Sequence, residues 1–151
     1  MAAIAWSQLA KFAIEDENIS WPWQMALEGF RDVTYLRLEA KGTWRAAGDQ
    51  FPPFPTDGLV GFPSPTDRVI LQECPIGALI GKIGGSSAST VVPAAGASPS
   101  LSAGQIFAIG THCQLVVPTG AIGPLYIGFN WLPRPLHVDK LELIISGSAP
   151  T

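Results

Sequence analysis

Charge is scarce in this chain. Twelve acidic and nine basic residues make up 14% of its 151 positions, for a net charge of -3. A nucleic-acid surface needs a basic stripe that displaces counterions from phosphates, so no nucleic-acid partner is expected. Long apolar runs are lacking too. The best candidates are broken by Lys82, Pro118 and Gly128 before they reach the roughly 18 residues that cross a bilayer as a helix, and no transmembrane segment is expected. The opening stretch MAAIAWSQLAKFAIEDENIS has no basic region ahead of an apolar one, and acids arrive by Glu15. No secretory signal is recognised, which leaves the compartment unknown and the cytoplasm as the default. Only two cysteines, Cys74 and Cys113, are present. That is too few for a disulfide scaffold or a Cys-rich zinc site, and it leaves open two buried thiols or one bridge between strands.

Apolar residues, in contrast, reach 47%, and 16 glycines and 14 prolines are dispersed among them without a Gly-X-Y period. A chain of this length buries about 70% of its unfolded surface in one core, so one main domain of short strands and many turns is expected. In VTYLRLEAKGTW, residues Thr34, Leu36, Leu38 and Ala40 share one face while Tyr35, Arg37 and Glu39 share the other, the pattern of a half-buried strand. Further strands are expected at 67–72, 76–83, 105–109, 113–117, 124–129 and 138–145. Residues 48–66 hold five prolines and read as a long ordered loop, because proline gives no ladder donor. The stretch 84–104 is small, polar and uncharged, an excursion or an edge with long turns. The first residues stand apart. Trp6, Leu9, Ala10, Ala13 and Ile14 follow helical spacing in a run short enough to be a strand, so residues 1–22 are read as an N-terminal extension, 23–147 as the sandwich and 148–151 as a tail.

CPIGALIGKIGG, residues 74–85, raises the question of a phosphate-binding loop. Such a loop needs a helix directly after its glycines, with Lys and Ser or Thr at fixed places; here Ser, Ala, Thr and Pro follow. Glycines within a strand mark a bulge or the close approach of a neighbour, so Gly77 and Gly81 are expected to face something packed tightly against them.

The ordered set DVTYLRLEAKGTW, a Pro-rich loop ending in DG, GALIGKIG, FAIG and PTGAIGPLYIGFN resembles the PA-I-type galactophilic lectins over about residues 23 to 146. The resemblance implies an all-β fold, an antiparallel β-sandwich of galactose-binding-like, jelly-roll type, and a sugar-binding, non-catalytic ancestry. In that family a calcium ion holds the sugar, in a loop after the strand that reads LYIGFN here. This chain keeps Asn130, has Trp131 where the family has Asp, and continues through Pro133, Arg134 and Pro135; Asn18 and Asn130 are its only asparagines. Calcium takes six to eight hard oxygen ligands, so neither metal nor any other cofactor is expected. The family's second sugar contact falls near Phe54 and Asp57.

Catalysis is set aside and the protein is read as a non-enzyme. His112 and Cys113 are neighbours that point to opposite faces of a strand, a poor dyad. His137 and Asp139 share a face, which permits a contact, but no nucleophile elbow accompanies them. The acidic run at 15–17 reads as a solvated face. The expected ligand-binding set is Asp57, Asn130, Trp131 and Arg134, with Trp131 stacking on a galactose-type sugar. The expected interface set is Trp6, Trp21 and Trp23. Two functions follow: a lectin-like recognition module for a glycan, independent of calcium, or an accessory subunit that docks a protein partner through its sandwich, as a homo-oligomer or within a larger assembly.

Overall fold

The computed structural model describes residues 5–19, 22–46, 52–59, 69–71, 74–84, 106–117, 122–132 and 136–148. Among them are nine strands and no helix: β1 (Ser7–Ile19), β2 (Trp23–Leu27), β3 (Tyr35–Ala46), β4 (Phe54–Pro55), β5 (Leu79–Ile83), β6 (Ile106–Ala108), β7 (His112–Val116), β8 (Leu125–Phe129) and β9 (Leu136–Ser148). They form two antiparallel sheets packed face to face, an antiparallel β-sandwich. The larger runs β1-β9-β3, with β4 and β7 both pairing the far side of β3; the smaller runs β2-β8-β5-β6.

In β3 the expected alternation holds, and β9 alternates in the same way. Leu36, Leu38 and Trp44 of β3 and Leu141, Leu143 and Ile145 of β9 turn inward, where they meet Leu79 and Ile83 of β5 and Leu125, Ile127 and Phe129 of β8. The Trp44 and Phe129 rings lie 4.4 Å apart across this core. Both β5 and β8 are buried at every position, so their faces cannot be told apart by polarity. Their outer face carries a second apolar cluster of Trp23, Ile70, Cys74, Ala78, Ile80, Ile106 and Tyr126. Lys82 is buried in it, its ammonium 4.8 Å from the centre of the Trp23 ring and 5.5 Å from that of Tyr126, and burial lowers its pKa.

The two glycines are where close packing demands them. Gly81 lies in β5, and a Cβ there would come within 2.8 Å of Ile109 Cδ1 and 3.0 Å of Phe107 Cζ. Gly77 precedes the strand with φ +78°, and a Cβ there would run into the ring of Phe54.

Three local expectations change. The stretch 1–22 is no appendage over Ser7–Ile19, which pairs with β9 from Ser7 opposite Gly147 to Ile19 opposite Leu136. Its helical spacing arises because Leu9 and Ala13 are apolar yet exposed, while Ala10, Phe12 and Ile14 turn inward, and the register shifts once, around Leu9. The Pro-rich loop contributes β4, whose Pro55 sits on a sheet edge where a missing donor costs little. Val69–Leu71, within the expected strand 67–72, is irregular chain bonded to a side chain instead of to a neighbouring strand. The excursion 84–104 lies outside the described residues beyond Gly84. Cys74 and Cys113 are not joined by a disulfide: the first lies in the outer cluster, the second against Leu38 on the inner face of β7, where burial raises its pKa.

Candidate functional site

One end of the sandwich gathers three of the four residues expected to bind ligand, and packing gives them other work. Asn130 follows β8 and is wholly buried. Its Oδ1 accepts from the backbone N–H of Ile70 (2.9 Å) and Leu71 (2.7 Å), and its Nδ2 donates to the carbonyls of Leu71 (2.9 Å), Pro75 (3.1 Å) and Cys74 (3.2 Å). Its own main chain is bonded to Gly77 and Ala78. A carboxamide so engaged pins the segment 70–78 to the end of β8 and has no capacity left for a sugar hydroxyl. Trp131 is 4% exposed, with its ring centre 6.4 Å from that of the wholly buried Phe54. The expected stacking platform is therefore part of the core. Asp57 is exposed, and its Oδ1 accepts from the Thr111 N–H at 2.8 Å, while Thr56 and Thr111 share a hydroxyl hydrogen bond of 2.8 Å. Arg134 lies outside the described residues.

These residues do not fit a calcium ion. The Trp131 ring packs against Phe54, and the Asn130 amide oxygen is already shared by two backbone donors. Among the described residues no group of three or more His, Cys, Asp or Glu side chains could hold a metal.

Next to the Asp57 loop, a hollow of about 510 Å³ opens on the outer face of the larger sheet, lined by Lys11 of β1, Glu39 and Lys41 of β3, Thr111 and His112 at the start of β7, and Glu142 and Ile144 of β9, among others. The strands bring these groups together by register: Glu39 lies opposite both His112 and Ile144, and Lys41 opposite Glu142. Glu142 Oε2 is 3.3 Å from Lys41 Nζ and its Oε1 is 3.8 Å from Lys140 Nζ. The Lys41 hydrogen bond and charge, aided by the charges of Lys11 and Lys140, hold the Glu142 carboxyl below the usual range. Around one exposed apolar residue, Ile144, the hollow thus offers carboxylates, ammoniums, an imidazole and a hydroxyl. This is a set that can hydrogen-bond a polyhydroxylated ligand whose apolar face rests on the isoleucine.

Sequence reading missed this hollow, although its signal was present. Alternate positions 39 and 41, and 140 and 142, carry opposite charges in strands that proved to be neighbours. Elsewhere on the same face, His137 Nε2 does reach Asp139 Oδ1, at 3.4 Å, and Arg45 donates to that oxygen from Nε (3.1 Å) and Nη2 (2.8 Å). Thr43 Oγ1 also donates to the other carboxylate oxygen of Asp139, at 3.4 Å. Of the expected interface residues, Trp6 is half-buried with the Arg37 guanidinium 4.7 Å from its ring centre, Trp23 is buried in the outer cluster, and Trp21 lies outside the described residues. No protein-family model, curated protein or solved structure matches this chain.

Proposed function

We propose that the protein is a non-catalytic, lectin-like recognition module that binds a galactose-type glycan without calcium, in the hollow of the larger sheet. The observation that carries this reading is the convergence of Glu39, Lys41, His112 and Glu142 around exposed Ile144 in a space of about 510 Å³, the size range of small-ligand sites. The resemblance of the strand motifs to galactophilic lectins supports the ligand class, and the Phe54–Trp131 packing supports independence from calcium. Asp57 acts from behind, by fixing Thr111 at the rim.

The test is an NMR titration with galactose-type and other oligosaccharides in the presence of a calcium chelator. Shifts confined to the hollow, unchanged by the chelator and lost in Glu142→Ala with folding retained, are the expected result. Binding that requires calcium, or shifts located at the 54–57 and 130–132 loops alone, would overturn it. The docking-subunit reading draws on a different feature, the outer edge of β1.

A further inference from the structure

We infer that two copies of this chain pair edge to edge through β1, joining their larger sheets into one continuous antiparallel sheet. Among the described residues no strand pairs with the outer edge of β1, which runs for 13 residues at the end of the β1-β9-β3 order. A strand edge of that length presents a row of backbone donors and acceptors ready for another strand. Natural edges are commonly blunted by bulges. Here the irregularities lie only toward the ends, around Leu9 and at Asp16, and Ala10 to Glu15 keep an unbroken register with β9.

The side chains of that regular stretch select a second copy as the partner. A two-fold axis perpendicular to the sheet makes the paired strands antiparallel and keeps the two inner faces on the same side. Centred on Ala13, it places Lys11 of each copy opposite Glu15 of the other on the exposed face. On the inner face it places half-buried Phe12 opposite Ile14. Both pairings are of kinds that stabilise adjacent strands. Moving the axis to residue 12 sets Lys11 against Ala13 and Glu15 against Leu9. Moving it to residue 14 sets Lys11 against Glu17, but it leaves Glu15 against Ala13 and puts Phe12 against Asp16. Only the Ala13 centre satisfies the charges and the apolar pair together, and it lies within the stretch that is free of bulges.

Lys11 also lines the hollow, but the pairing is read from oligomeric state and does not depend on the ligand reading. Sedimentation equilibrium of the full chain, at concentrations from about 1 to 200 μM, tests it. The expected result is a dimer that weakens as salt is added. Lys11→Glu and Glu15→Lys should each raise its dissociation constant about tenfold, because two symmetric attractions become repulsions. The double variant Lys11→Glu with Glu15→Lys should restore it. Thermal melts of each variant separate loss of pairing from loss of fold. A chain that stays monomeric throughout, or a dimer that the single variants leave unchanged while folded, or one that the double variant fails to restore, would overturn the inference.

Discussion

In the smaller sheet, β5 and β8 bury all of their residues, and a second apolar cluster lies over their outer face; in the larger sheet, the outer face of β3 and β9 is a lattice of Arg, Lys, Glu, Asp and His. The difference accounts for how the two sheets look in sequence. A sheet covered on both sides has no solvent face to mark with polar residues, so LIGKI and LYIGF read as continuous apolar runs, and glycine appears where a neighbour presses close. A sheet with one wet face keeps alternation and must place its charges by cross-strand register. Polar side chains that are both held by a rigid ladder and open to a ligand occur on the wet face, and the proposed glycan site is placed there for that reason.

Substitutions can break this contrast, most severely where the covered sheet is tied to its cover. Asn130→Ala removes every side-chain bond to Ile70, Leu71, Cys74 and Pro75, leaving buried backbone groups unpaired. The expected loss is about 3–5 kcal/mol in denaturant unfolding. Were Asn130 instead a ligand contact at an open site, stability would barely change. A smaller effect is expected within the same sheet: Gly81→Val forces a side chain against Ile109 and Phe107 and should cost about 1–3 kcal/mol by the same measurement. The smallest effect belongs to the wet face. Asp139→Asn weakens the contacts with Arg45 and His137 on partly exposed side chains, and should cost about 0.5–1 kcal/mol at low salt and almost nothing at about 1 M salt. Equal costs for the last two variants would mean that the two sheets are not so differently buried.

The all-β fold was legible from spaced apolar runs and turn residues, and the strand containing Leu36 and Leu38 from its alternation. β1 was obscured because apolar Leu9 and Ala13 on its exposed face imitate helical spacing, and β4 because proline argues against any ladder except at an edge. The stretch 67–72 looked like a strand since Val69, Ile70 and Leu71 are apolar; what makes them so is the outer cluster and the nearby core, while the amides of Ile70 and Leu71 are satisfied by the distant side chain of Asn130. For the site, residue type alone was misleading. Asn130 and Trp131 have the chemistry of a sugar contact, yet burial commits them to holding the sandwich end together. The alternating charges of the hollow were visible within each strand, but which strands bring Lys11, Glu39, Lys41 and Glu142 together is set by strand order, which local patterns do not specify.

Strand order also bears on how the molecule is assembled in time. Among the described residues, in each sheet a strand from the start of the chain is linked to the rest through one from its end: β1 through β9 and β2 through β8. During synthesis the early strands emerge without their partners, and more than a hundred residues separate Ser7 from the Gly147 it will face. Neither sheet can close from neighbouring segments alone, which places this chain among the slow, nonlocal folders, in the millisecond to second range or beyond. Until β8 and β9 arrive, the apolar faces of the earlier strands stand uncovered, and it is the last quarter of the chain that turns separate hairpins and edges into a single cooperative unit.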